Sequence, residues 1–124
     1  MIEPEAVDRA DVVAEVTAAF VAYEDALLED DVDALDEWFW PDERLVRFGI
    51  AEIQHGAAAV ARWRRHAGGV APDRTHRHVT VTTFGSDVAL VSLEFTNGDT
   101  PPIGRQSQVW VRTTPGWRIA HAHV

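Results

Sequence analysis

The segment GRQSQVWVRTTPGWRIAHAHV, residues 104–124, constrains the fold more than any other part of this chain. Two runs rich in Val, Ile and Trp flank Thr114, Pro115 and Gly116, the pattern of two strands joined by a turn. Strand side chains alternate between faces, so Gln106, Gln108, Trp110 and Arg112 share one face while Arg105, Ser107, Val109 and Val111 share the other. Both faces carry large apolar groups. A hairpin apolar on both sides must lie between two layers, and its glutamines are then either a surface rim or the polar lining of an enclosed space.

The preceding residues supply the covering layer. From Asp11 to Glu29, Val13, Val16, Phe20 and Leu27 recur at helical spacing with Tyr23 on the same stripe, which predicts a first helix. Asp31 or Asp33 can cap a short second helix through Leu35, Trp38 and Phe39, stopped by Trp40-Pro41. Arg44 to Phe48 reads as a strand, Ala51 to His55 as its return, and Ala57 to Ala67 as a third helix ended by Gly68-Gly69. Two longer strands follow, His76 to Phe84 and Val88 to Thr96, joined at Gly85-Ser86-Asp87. Asn97-Gly98 and Pro101-Pro102 then mark a loop leading to the closing hairpin. Helices followed by an antiparallel meander predict an α+β fold in which a curved sheet wraps the N-terminal helices into a cone. At 124 residues, one domain over 1–124 is expected.

Charge and composition narrow the partners. A net charge of -9 opposes binding to phosphate backbones and anionic lipid, so neither nucleic acid nor membrane is expected as a partner. The acidity crowds the first 43 residues and arginine dominates from Arg44 onward, so inward arginines could still hold a small anionic substrate. With no cysteine, thiol chemistry and thiolate-held metals are excluded. No apolar run is long enough for a bilayer and no leader pattern is visible, which predicts a cytoplasmic protein. Gly-rich phosphate loops, nucleophile elbows and dinucleotide fingerprints are likewise missing from the sequence.

Three residues are candidates for chemistry. Tyr23, the only tyrosine, stands on the helix stripe facing the sheet; it is either a core tyrosine or a hydrogen-bond donor into the cone. In RLVRFG, Arg47 shares a strand face with Leu45, opposite Val46. It faces a cavity, where it needs an anion, or else it lies on the solvent face or pairs with an acidic residue such as Glu52. Arg64 follows Val60 by four on the inward side of the third helix, although RWRRH also suits a solvated edge. Two His-X-His pairs, His76/His78 and His121/His123, have strand spacing for chelation but lack an evident third ligand, so no metal or other cofactor is expected. Strand alternation puts His121 and His123 on the face of Trp117 and Ile119. Glu94 is the one conceivable inward base for a carbanion-forming isomerase.

The segments EWFWPDERLVRFGIAEIQHG, VTTFGSDVAL and GRQSQVWVRTTPGWRIAHAHV together resemble the AtzH-like proteins, also called HpxZ-like proteins of oxalurate catabolism. These belong to the superfamily of nuclear transport factor, SnoaL and ketosteroid isomerase. The resemblance implies a homodimer through the outer sheet faces and a pocket between helices and sheet, lined by Gln106 and Gln108 beside Trp110, with Val109 and Val111 toward the partner. It also implies decarboxylating amide hydrolysis of a small carboxylated urea, with Tyr23 and Arg47 as the catalytic pair and an amidase-signature enzyme as companion. Arg64, Gln106, Gln108 and Trp38 complete the expected substrate-binding set. The alternative is a dimeric ligand-binding or accessory protein that turns nothing over.

Overall fold

The computed structural model describes residues 1–124, the side chains of Thr100 and Pro101 excepted. A 3₁₀ turn, Pro4–Ala6, precedes helices α1 (Ala10–Glu29) and α2 (Val32–Trp38). Strands β1 (Val46–Phe48) and β2 (Ile53–His55) follow, then α3 (Ala57–Arg64), β3 (Arg74–Phe84), β4 (Val88–Asn97), β5 (Thr100–Thr113) and β6 (Gly116–His123). The six strands form one curved, unclosed sheet in the order β2-β1-β6-β5-β4-β3. Among the described residues, no helix is long and apolar enough to cross a membrane.

Local chemistry explains most boundaries. Asp31 caps α2 by accepting from the Ala34 N–H at 3.2 Å, while Asp30 ends α1 in the left-handed conformation at φ 52°. Arg44 is held in a turn by Asp42, whose carboxylate takes its backbone N–H at 2.8 Å, so β1 begins at Val46 rather than Arg44. The third helix stops three residues before the expected Ala67. The N–H of His66 and Ala67 return to Trp63 and Arg64, three residues back, which tightens the chain into turns before Gly68. Asn97-Gly98 turns as expected, but β5 begins at Thr100; the Pro101 side chain lies outside the described residues.

The concave side of the sheet holds the core. Val12, Val16, Phe20, Tyr23 and Glu24 of α1 are buried there, so the stripe begins at Val12 instead of the expected Val13. Trp110 is fully buried and meets Tyr23 and Trp38 edge-on, with ring centroids 6.2 and 5.9 Å apart. At about 25 cal/mol per Å² over roughly 200 Å² of ring, that burial contributes about 5 kcal/mol before conformational entropy is counted.

Two features depart from a plain antiparallel meander. β1 pairs with β6 in parallel, Arg47 opposite Ala122. In addition, the β5–β6 register shifts: Val109 faces His121, but Trp110 faces Ile119, leaving Ala120 as an extra residue. That bulge corrects the histidine assignment. Beyond it the alternation reverses, so Ala122 points inward and is buried, whereas His121 and His123 stand on the outer side, bracketing the Phe48 ring at 5.8 and 5.4 Å. A second irregularity, between Arg77 and Thr80, gives His78 a positive φ of 52° and separates it from His76. His76 meets Phe20, and His78 approaches Glu94 at 3.4 Å.

Candidate functional site

One row of the sheet sets the site. Reading across the pairings, Gln54 of β2, Arg47 of β1, Ala122 of β6 and Gln108 of β5 are consecutive Cα partners on the inner face. Ala122 is the only small residue among these four, with Arg47 and Gln54 on one side of its methyl group and Gln108 on the other. Arg47 is nine-tenths buried. Its guanidinium lies over the Trp63 indole of α3 at 3.6 Å, within cation–π range, and Nη1 donates to Gln54 Oε1 at 3.0 Å and Glu52 Oε1 at 3.3 Å. Both contacts use the same nitrogen. Burial pulls the Arg47 pKa down and the Glu52 carboxylate opposes that, so the group stays cationic.

Arg64 meets the same aromatic group from α3 itself, 5.9 Å from the Trp63 ring and 4.9 Å from Phe39. Its Nε donates to Asp36 Oδ1 at 3.0 Å, while the other Asp36 oxygen pairs with Arg65 at 3.0 Å. Arg64 Nη2 is buried and has no hydrogen-bond partner among the described residues. An orphaned charged donor in the interior costs several kcal/mol unless something accepts from it. Gln108 repeats the pattern: Oε1 accepts from the Trp110 indole N–H at 2.8 Å, and Nε2 is left buried and unpartnered.

Tyr23 is buried, with its ring 6.2 Å from Phe39. Burial raises its pKa above 10, outweighing the pull of Arg64, Arg74 and Arg47, so it is a neutral hydroxyl at physiological pH and suited to donate. Trp38 packs on Trp110 and receives the Arg118 guanidinium at 5.7 Å. Gln106 belongs to a different group. It accepts from Arg74 at 3.4 Å, and Arg74 also grips Glu24 at 3.2 Å in a pair whose side chains are only 5% and 4% exposed.

Open space lies beside these residues. A hollow of about 150 Å³ is bounded by Leu27, Leu35, Trp63 and Arg64. A wider one of about 510 Å³ opens where β5 runs past the end of β6, with Gln106, Phe95 and Gly104 among its walls. Tyr23, Arg47, Gln108 and Trp38 line neither. The structure therefore brings Arg47 and Arg64 to one indole, Trp63, puts Arg64 and Tyr23 both against Phe39, Tyr23 and Gln108 both against Trp110, and Gln106 with the Glu24–Arg74 pair. Glu94 is not an inward base: it pairs with Arg77 at 3.5 Å and is opposite Arg105 on the outer row.

Sequence reasoning missed Trp63, the surface shared by both arginines, and the Glu24–Arg74 pair. Glu24 continues the ladder Val12, Val16, Phe20 at four-residue steps, which was the available signal for its burial.

A family model, AtzH-like, matches residues 5–124. The chain belongs to the AtzH-like family. A crystal structure of a protein of unknown function from the DUF3225 family of Pectobacterium atrosepticum is 45% identical, with a TM-score of 0.95 over 99% of this chain and 96% of that one. A cystatin-like fold protein of Burkholderia xenovorans is 47% identical, with a TM-score of 0.92 over 99% and 95%. A ketosteroid isomerase-like protein of Erwinia carotovora atroseptica, at 19% identity and a TM-score of 0.73 over 93% and 95%, shares the fold alone. None of the curated proteins matches. For this AtzH-like chain the fold is thus the nuclear transport factor-like one.

Proposed function

We propose that this AtzH-like protein binds a small carboxylated urea or related ureido acid in the cone and promotes its decarboxylating hydrolysis. One observation carries the reading: two buried guanidiniums share one indole, with Arg64 Nη2 and Gln108 Nε2 left as donors without acceptors. A carboxylate supplies the missing acceptors. In the decarboxylating step a carbamate nitrogen takes a proton, its C–N bond breaks with the electron pair going to nitrogen, and carbon dioxide leaves with an amine. Tyr23, held neutral by burial, is the proton donor and regains its proton from water. An amide hydrolysis step requires water as nucleophile.

The packed surroundings of Tyr23 favour a second reading, a ligand-holding accessory to an amidase-signature enzyme. Turnover of carboxylated ureas by the purified protein, followed as carbon dioxide or ammonia release, separates the two. Arg47→Lys keeps the charge but loses the planar fork, so affinity should fall about tenfold, and further in Arg47→Ala. Binding unchanged in both variants refutes the arginine site, while binding without turnover selects the accessory reading. We also propose a homodimer through the outer sheet face, where Val88 and Leu90 are 40% and 43% exposed. Sedimentation at micromolar concentration should give twice the chain mass, and a Leu90→Glu variant should sediment as a monomer.

A further inference from the structure

Glu52 reaches Arg47 from a largely exposed turn. The turn, residues 49–52, joins β1 to β2, each of three residues, and β2 is an edge of the sheet. Ile50 within it and Ile53 just after it project into solvent. Both oxygens of the Glu52 carboxylate are nevertheless engaged: Oε1 accepts from Arg47 Nη1 at 3.3 Å, and Oε2 accepts from the Ala51 backbone N–H at 3.1 Å. That reach depends on Gly49, because a Cβ there would overlap Oε1 and stand 2.9 Å from Nη1. Glu52 is also the expendable partner of the guanidinium. Its side chain is 36% exposed against 10% for Arg47, so it can return to water, and Arg47 would keep Gln54 Oε1 at 3.0 Å and the Trp63 ring.

We propose that Glu52 is an internal stand-in for the ligand: its carboxylate occupies Arg47 in the free protein, and an incoming ligand carboxylate displaces it, the Glu52 side chain swinging out to water. The assignment rests on the arginine site proposed above and adds how that site is held shut. Arg47 lines neither hollow, as expected of a cation whose acceptor position is filled from within the chain. Displacement also sets a threshold. A neutral molecule brings no charge to exchange for the Glu52 carboxylate, and a carboxylate ligand binds only with its surplus over the internal ion pair. Hydrogen bonds to a charged group are strong enough for this competition to lower affinity about tenfold.

Ureidoacetate and its neutral amide, ureidoacetamide, test this by calorimetry and amide NMR. Glu52→Ala should bind ureidoacetate about tenfold more tightly than the wild type, with no gain for ureidoacetamide. Glu52→Asp keeps the charge but is one methylene too short to span the contact, so it should show most of the same gain. In an Arg47→Ala background Glu52→Ala should bring no gain. Saturating the wild type with ureidoacetate should move the Ala51 amide resonance toward its position in free Glu52→Ala, since that N–H loses its acceptor. Weaker or unchanged binding of ureidoacetate to Glu52→Ala would make Glu52 a support for Arg47 and overturn the displacement. A gain that Glu52→Asp does not share, or that survives in the Arg47→Ala background, overturns it too, by reducing the effect to long-range charge. The arginine site stands in each of these cases if Arg47→Ala alone still weakens ureidoacetate binding more than tenfold. No binding of ureidoacetate to either the wild type or Glu52→Ala overturns both.

Discussion

Two buried charge centres lie on the concave side of this sheet, and they are built in opposite ways. In the Glu24–Arg74 pair the charges cancel: Arg74 spans both carboxylate oxygens at 3.2 and 3.4 Å, rests on the Phe95 ring at 4.2 Å and spends a further donor on Gln106. Around Trp63, two guanidiniums meet carboxylates only at their outer ends, Glu52 and Asp36, whose side chains are 36% and 24% exposed. The inner donors are left over. A closed pair tethers α1 to β3 and asks for nothing more; the donors left over around Trp63 are the ones that the proposed reading gives to a ligand carboxylate.

The largest effect expected from this difference is on stability. Arg74→Met strands the Glu24 carboxylate and should cost about 3–5 kcal/mol in urea unfolding, while the double variant Arg74→Met/Glu24→Leu should recover most of it. Arg64→Met strands no charge, since Asp36 retains Arg65, and removes the unpartnered donor, so it should leave stability unchanged or raised while abolishing ligand binding. Equal losses from Arg74→Met and Arg64→Met would erase the distinction.

Next in size is Tyr23→Phe. It removes one hydroxyl and keeps the ring among Phe39 and Trp110, so turnover of the carboxylated urea should fall about 100-fold with Tm within a few degrees. A fall in Tm with turnover per folded molecule intact would make Tyr23 structural and move it to the side of the closed pair.

The smallest effect is a titration. Tyr23 is the only tyrosine, so absorbance at the phenolate band reports one group. Its folded-state pKa is raised, which means the native state holds the proton longer than the unfolded chain does. Stability is therefore unaffected below pH 10 and falls as pH rises from 10 toward the folded value. Phenolate should appear only above pH 10, together with that loss. Ionisation below pH 10 would show that the arginines dominate desolvation at Tyr23.

Much of this architecture is local and could be read directly. Asp31 as a cap, the α1 stripe with Tyr23 on it, Leu45 and Arg47 on one strand face, and Gln106, Gln108 and Trp110 on one face of β5 all follow from periods of 3.6 and 2. The sequence also carried the family signature, and the AtzH-like family model matches residues 5–124. Alternation fails only where the count is interrupted. The extra residue at Ala120 moved His121 and His123 to the outer face, and no propensity of Ala-His-Ala-His announces a bulge. Likewise, Glu24 and Arg74 are fifty residues apart, Trp63 reaches Arg47 from a different element, and β1 lies parallel to β6. Those contacts are decided by which curved surfaces come to face each other once the helices are buried. A repeating period determines the direction of a side chain along its own element; what it meets, and whether its charge is spent or left over, is decided by tertiary packing.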